Sequence, residues 1–495
     1  MNLQSLSNPN FISKKIKIYA ISDSHQETRK TANFLSKIFN ENKNNDNILF
    51  LNGGDIFKGV YPKQLERDSY LKFKDLKPDT KMVMTLGNND FGFDKNGLEY
   101  LIETAKKFAQ KMIHVVCANI FQKDGKRPEW LKPYITLPFD DKKVFVTGFC
   151  INNINTEKFG IISKKQNDVL VDIQNAILNE KPDFTIVLNH DYMPTSKDIF
   201  DNCKQNGIKI DMIIGGHDHN IVSRDEARNI YYPQAFSESM YEVILSNISN
   251  KLQITNVKEI LNSKSAMLPV FEEFLSKYEK ESKLLENIAP CVLNLDKKYS
   301  KPCSLGSFLA DNMKLYSDSD IAFFSTGFLM KPIYYKPDSY ITNYIFKKTI
   351  NACTPIKVAE LSVNDLKNVF SHAIKTYGYG SSNPKFLQCS SNVKLVGKDN
   401  PISKEFILTQ IYIDNVALLD ENLQPKTSKK FKCCFDSYIA EGGQGFKDLQ
   451  NLPKTEVKNN NIPLCINMVL LDSLKSAPYK FSKGTNYPTF EVKTI

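Results

Sequence analysis

Apolar and polar positions alternate along the first half of the chain in two rhythms. Short, nearly continuous apolar runs, KIKIYAIS (15–22), NILFLN (47–52), KMVMTL (81–86), HVVCANI (114–120), KVFVTGF (143–149), FTIVLN (184–189) and DMIIG (211–215), predict strands buried on both faces. Between them, QETRKTANFLSKIFNEN (26–42) and NDVLVDIQNAILNEK (167–181) carry apolar residues at helical spacing. Strands alternating with helices predict an α/β layered fold around a largely buried sheet.

The texture changes at AMLPVFEEFLSKYEKESKLLENI. This charge-rich amphipathic stretch, spanning about 265–288 with Pro290 just beyond it, predicts a helix joining two domains. A second α/β region follows, with a helical SLGSFLADNMKLY (304–316), an apolar DIAFFSTGF (320–328) and a glycine turn AEGGQGF (440–446). A length of 495 residues fits two or three domains.

Composition adds exclusions. With 41% hydrophobic and 24% charged residues the chain reads as globular, and its net charge of +10 is spread over short basic runs such as SKKIK and SKKFK. Such runs fit solvated faces, so no long nucleic acid is expected as a partner. No stretch approaches 18 uninterrupted apolar residues, so no membrane partner is expected either. The ten cysteines show no C-x-x-C spacing and are expected to be reduced, mostly buried thiols, with Cys433 and Cys434 as core-facing and surface-facing neighbours on one strand. Together with a start lacking a signal-type apolar segment, this predicts a cytoplasmic protein. Oligomeric state is not legible.

Chemistry enters where the apolar runs end. IYAISDSH ends in Asp23 and His25, LFLNGGD in Asp55, MVMTLGNND in Asn88, TIVLNHD in His190, and MIIGGHDH in His217 and His219. An Asp or Asn after a strand is ordinarily a turn residue or helix cap. The histidines change the weighing. Four of the chain's six stand at these ends, leaving only His114 and His372 elsewhere. Because open α/β sheets gather sites at the carboxyl ends of strands, the seven residues predict one crevice holding metal.

This ordered set resembles the calcineurin-like metallophosphoesterases, whose pattern is D-x-H, G-D, G-N-H-[DE], a lone H and G-H-x-H. The resemblance continues through SLGSFLADNM, SDSDIAFFSTG, FLQ at 386–388 and YIAEGGQGF at 438–446, which look like the C-terminal domain of 5′-nucleotidases. It implies a four-layer metallophosphoesterase β-sandwich flanked by helices over residues 1–255. A linker helix over 256–289 and a smaller α/β substrate-binding domain over 290–495 would follow. Two divalent ions (zinc, manganese, iron or cobalt) would be bridged by Asp55. Asp23, His25 and His219 would complete one site; Asn88, His190 and His217 would complete the other. The implied activity is hydrolysis of a nucleotide or similar small phosphate monoester by in-line attack of a hydroxide held at the metals.

Departures from the pattern qualify this reading. The histidine that follows G-N in the family is Asn89 here, and the aspartate that orients it is Gly92. An amide cannot give up a proton, so hydrolysis is expected to slow steeply as the leaving-group pKa rises. Some phosphodiesterases lack this histidine, so a 2′,3′-cyclic nucleotide diester is an alternative substrate, and a catalytically degenerate nucleotide-binding protein is a second alternative. In the second domain the resemblance places Phe386 and Tyr438 as aromatics sandwiching a base, their plain alternative being core packing. It also aligns Met330 with a phosphate-side arginine, with Lys331 beside it, and Gln444 with a ribose-binding aspartate.

Overall fold

The computed structural model describes residues 15–476 and 491–493, apart from 46, 92–94, 153–159, 220–222, 264–266, 291–300, 331–332, 334–339, 351–352, 376–384 and 401–404. The chain divides into two compact units, Met1–Tyr278 and Glu279–Ile495.

Two six-stranded sheets build the first unit. One runs in the order Lys251–Leu261, Ser239–Ile248, Ile16–Ile21, Ile48–Asn52, Lys81–Met84, Ile113–Val115. Its last four strands are parallel, and its first two form an antiparallel hairpin. The other runs Ser223–Asp225, Ile230–Tyr232, Met212–Gly216, Phe184–His190, Lys142–Cys150, Tyr134–Phe139, parallel except at its two edges.

Alternation of side chains along each strand assigns the layers. Ile18, Ala20, Leu49, Leu51 and Val83 of one sheet share a core with Val144, Val146, Ile186, Leu188 and Ile214 of the other. The opposite face of the second sheet, with Phe145, Phe149, Val187 and Ile213, packs on Val169, Leu170 and Ile173 of the helix Gln166–Glu180. Phe50 turns away from the shared core to meet Tyr70, which in turn packs edge-on against Phe108, so the helices Lys63–Leu76 and Lys95–Gln110 cover the first sheet. The expected four layers, helix–sheet–sheet–helix, are present. Ile48–Asn52 and Phe184–His190 are buried at every position, which is why they read as unbroken apolar runs.

The joining helix is shorter than its expected range. Residues Lys251–Leu261 form a sheet strand, the helix covers Pro269–Glu281, and Asn287–Pro290 is again a strand. Charged residues at both ends of the segment continued the helical pattern past the point where the backbone leaves it.

The second unit is built on a five-stranded sheet in the order Leu387–Cys389, Ile321–Ser325, Phe431–Asp436, Ile356–Leu361, Thr455–Glu456, with a four-stranded sheet beside it. Both faces of the larger sheet are covered. Ile321, Phe323, Cys433 and Phe435 enter one core with the helix Val363–Ile374, while Ala322, Phe324 and Cys434 enter another with the helices Ser304–Ser317 and Ile466–Ser476. Cys433 and Cys434 are therefore both buried, because the face expected to meet solvent meets helices. A second departure concerns the expected reduced thiols: Cys353 and Cys465, 112 residues apart, form a disulfide where Pro355 bridges Cys465. The other seven described cysteines are buried and form no disulfide. Among the described residues no helix is long and apolar enough to cross a membrane.

Candidate metal centre

Five loops at the carboxyl ends of strands carry the seven ligand-type residues. Asp23 and His25 follow Ile16–Ile21, Asp55 follows Ile48–Asn52, Asn88 follows Lys81–Met84, His190 ends Phe184–His190, and His217 and His219 follow Met212–Gly216. Parallel register aligns these ends, so residues up to 196 apart in sequence come into contact.

Their ligand atoms form two groups. Asp23, His25 and His219 converge within 4.8 Å of one another, as do Asp55, His190 and His217. His219 Nε2 lies 3.1 Å from Asp23 Oδ1 and 3.2 Å from His25 Nε2. Asp55 Oδ2 stands between the groups, 3.3 Å from His190 Nε2 and 3.8 Å from His25 Nε2. Asn88 Oδ1 lies 2.9 Å from His217 Nδ1, which brings it to the second group.

Backbone carbonyls orient two of the imidazoles. His190 Nδ1 donates to Gly53 O at 2.8 Å and His25 Nδ1 to Lys58 O at 3.2 Å. Each bond leaves Nε2 as the ring nitrogen directed inward, the atom that would be offered to a metal. His190 Nε2 is fully buried and, although Asp55 Oδ2 faces it at 3.3 Å, makes no well-formed hydrogen bond, which in a polar cluster marks a place built for something else.

The charges lean the same way. Burial opposes ionisation of Asp23, but the neighbouring His190 and His219 hold its pKa down at about 2. Burial likewise opposes the Asp55 charge, and His190 and His25 outweigh it, keeping that carboxyl far below the usual range. For His190, burial would lower the pKa, yet Asp55 and Asp23 push it up to about 10. Burial prevails at His25 and brings it down to about 4. Two buried carboxylates thus stay ionised and draw positive charge to the space between them.

Backbone shape holds the constellation open. Asp23, His25, Asp55 and His217 all adopt positive φ, between 47° and 72°. Strain of this kind persists only where surrounding bonds over-determine it. Asp90 supplies much of that determination: its carboxylate accepts the backbone N–H groups of Asp55, Ile56, Phe57 and Gly87 at 2.7–2.9 Å. Gly87 has no alternative, since a Cβ there would lie 2.1 Å from Asp55 Oδ1. Asn89 also closes on Asp55, donating its backbone N–H to Oδ1 at 2.8 Å and Nδ2 to Oδ2 at 2.5 Å.

Two residues of this site escaped the sequence reading. Asp90 had a signal, being the last position of the G-N-x-[DE] pattern. Lys58, whose Nζ donates to Asn89 Oδ1 at 2.9 Å, had none. A cavity of about 410 Å³ is lined by Ile151, Gln166, Asp191, Tyr192 and Thr195, and none of the seven ligand-type residues lines it. A larger groove of about 1120 Å³, lined in part by Phe184, Tyr231 and Tyr241, likewise contains none of the ligand-type residues, and the chemistry is read from the side-chain geometry of the two ligand groups.

In the second unit, Phe386 is 2% exposed inside a hydrophobic core, so it is a packing residue rather than a ring open to a base. Tyr438 is 48% exposed, with Phe328 edge-on at 6.2 Å between ring centroids. Gln444 Oε1 accepts from Ser325 Oγ at 3.0 Å, on the same rim. Lys331 and Gly92 lie outside the described residues.

Comparison with known proteins agrees with this geometry. Residues 16–220 match the model of the calcineurin-like phosphoesterases, and residues 285–451 match that of the 5′-nucleotidase C-terminal domain. A 5′-nucleotidase of Diplobatis ommata is 22% identical over 457 residues, covering 82% of this chain and 76% of its own. An apyrase of Aedes albopictus is 24% identical over 460 residues, with the same coverages of 82% and 76%. Among solved structures, a 5′-nucleotidase precursor from Thermus thermophilus shares the fold with a TM-score of 0.73 at 15% identity, covering 97% of this chain and 99% of that one. Fold and site define a metal-dependent phosphoric ester hydrolase. The chain belongs to the two-domain calcineurin-like 5′-nucleotidase family, whose phosphoesterases use divalent metal ions.

Proposed function

We propose that the chain hydrolyses a small phosphate monoester, a nucleotide by preference, with two divalent ions held by the strand-end residues. The observation carrying this is the pair of ligand groups meeting at Asp55, each within 4.8 Å. Asp23, His25 and His219 would hold one ion, Asn88, His190 and His217 the other, with Asp55 shared. The buried His190 Nε2, which makes no well-formed hydrogen bond, and the ionised Asp23 and Asp55 fit such ions. Nitrogen and oxygen donors without thiolate suit zinc, manganese, iron or cobalt. When bound, the ions supply concentrated positive charge to the phosphoryl oxygens and make water a better nucleophile.

The chain's own residues do the remaining work. Gly53 and Lys58 carbonyls aim two imidazoles, and Asp90 holds the Asp55 loop. Asn89 locks both oxygens of Asp55. Tyr438, the exposed ring of the second unit, is a platform on which a base would stack. The 5′-nucleotidase and apyrase relatives support a nucleotide substrate.

Asn89 favours a second reading, a phosphodiesterase acting on a 2′,3′-cyclic nucleotide. A panel of nucleoside monophosphates, simple alkyl phosphates and cyclic nucleotides, assayed with manganese, cobalt and zinc, decides. Fastest turnover of a monophosphate supports the proposal, and turnover of cyclic diesters alone replaces it with the second reading. Turnover of none, with nucleotide binding retained, identifies a degenerate binding protein.

A further inference from the structure

Lys58 is carried on a loop whose backbone is fixed from three sides. Asp90 accepts the N–H groups of Ile56 and Phe57, His25 Nδ1 donates to the Lys58 carbonyl, and Gln26 Oε1 accepts the Gly59 N–H at 2.7 Å. A loop so constrained delivers its side chain to a defined place, and the half-buried Lys58 reaches Asn89 at 2.9 Å. Asn89 faces two ways: its Nδ2 donates to Asp55 Oδ2 while its Oδ1 accepts from the ammonium. A neutral amide suits both, since it offers a donor to a carboxylate and an acceptor to a cation from one planar group. Asn89 thereby couples the Asp55 carboxylate to a lysine, and both Asn89 and Lys58 are only partly buried.

We propose that Lys58 is a catalytic residue for the ester hydrolysis described above: its ammonium contacts the phosphate ester and stabilises the negative charge that develops on the departing oxygen. The inference rests on the phosphate-ester reading. In the reaction a water oxygen forms the new bond to phosphorus, and the P–O ester bond breaks with its electron pair going to the leaving oxygen. Of the two protons the water brings, one ends on the alcohol and one on phosphate, and neither has to pass through Lys58. The lysine contributes a fixed positive charge at hydrogen-bond reach, which matters most where the leaving oxygen holds its charge poorly. Asn89 is the positioning residue that keeps it there.

The test compares Lys58→Met and Lys58→Arg with the wild type on an alkyl phosphate and on 4-nitrophenyl phosphate. It also measures inhibition by inorganic phosphate and bound manganese per chain. The expected loss in kcat for Lys58→Met on the alkyl ester is about 10- to 100-fold, the worth of one charge-assisted hydrogen bond. The loss on the nitrophenyl ester should be several-fold smaller, phosphate inhibition should weaken, and manganese content should hold. Lys58→Arg should recover most of both changes. Should Lys58→Met fail to fold, Lys58→Gln, which keeps a donor for Asn89 without the charge, provides the same comparison. Equal losses on both esters, or wild-type rates and phosphate inhibition throughout, would overturn the role of Lys58. A wild type that loads manganese but hydrolyses no phosphate ester would instead overturn the reading beneath it.

Discussion

The carboxylate of Asp90 accepts the backbone N–H of Asp55 at 2.9 Å, so one buried acid holds the residue whose carboxylate stands between the two ligand groups. It does so with all its acceptor capacity in use, two N–H groups on each oxygen. Burial and the nearby Asp55 charge push its pKa up to about 7, against which those N–H groups work.

Replacing Asp90 with Asn tests this arrangement. An amide turns its NH₂ toward two N–H donors, leaving them buried and unpaired at ~1–3 kcal/mol each. We expect Asp90→Asn to lower stability by about 2–5 kcal/mol and to cut metal loading as the Asp55 loop relaxes. A variant with wild-type melting and metal content would show that the loop is held by other bonds.

Asp55 itself is the stricter test of the proposed centre. Asp55→Asn keeps the volume but removes the charge and one acceptor oxygen between His25 and His190. Bound metal per chain should fall and hydrolysis should drop by at least roughly 10²–10³-fold. Metal analysis showing full occupancy alongside undiminished turnover would defeat the assignment of Asp55 as the shared ligand.

The part of the site legible in the chain is the part written by strand ends. Buried parallel strands read as unbroken apolar runs, so the positions immediately after them are visible, and four histidines there pointed to one crevice. Side chains arriving from loop interiors are another matter. Nothing in the spacing says that Lys58, three residues past Asp55, bends to reach Asn89. The same limit explains Cys434: period-two alternation separates two faces of a strand but cannot say that both are covered. Phe386 is placed by resemblance to the family, which aligns a position without saying how deeply its side chain is buried. Likewise Cys353 and Cys465 are brought together by pairing across 112 residues, a relation no local pattern carries.

That disulfide closes a long loop of the second unit and should stabilise it chiefly by restricting the unfolded chain. Loss of the bond, by Cys353→Ser or by a reductant, is expected to cost about 2–5 kcal/mol. Thermal melts with and without reductant measure it. Cys353→Ser should itself melt at the same temperature in both conditions. If the wild type also shows no reductant dependence, the bond contributes nothing.

Asp436 gives the second unit a pH dependence of known sign. Burial pushes its carboxyl up to about 6, although it accepts the N–H groups of Ser325 and Ile439. A raised carboxyl pKa means that the folded state binds the proton more tightly than the unfolded one. Its contribution is therefore greatest below the unfolded value of about 4 and is lost as pH rises to about 6, by roughly 3 kcal/mol in all. A carboxyl resonance titrating near pH 6 that is missing from Asp436→Asn would bear this out, whereas a midpoint near 4 would refute it.

Tyr438 and Phe386 should respond in opposite ways to the same truncation. Phe386 is 2% exposed in a packed core, and deleting a buried ring there leaves a cavity that neighbours fill only in part. Phe386→Ala is thus expected to destabilise the second unit by about 3–5 kcal/mol. Where the variant remains folded, nucleotide and baseless substrates should suffer alike. Tyr438 is 48% exposed on a short helix capped by Asp436, so its removal leaves no hole in the core. If a base stacks on its ring, Tyr438→Ala should raise KM for a nucleotide by roughly 5- to 100-fold, since stacking is worth ~1–3 kcal/mol per base. Hydrolysis of 4-nitrophenyl phosphate should scarcely change, and so should the melting temperature. Side-by-side KM measurements on the two substrates separate these cases. An unchanged nucleotide KM in Tyr438→Ala would remove the stacking role, and with it the main support that the second unit gives to a nucleotide over a simpler phosphate ester.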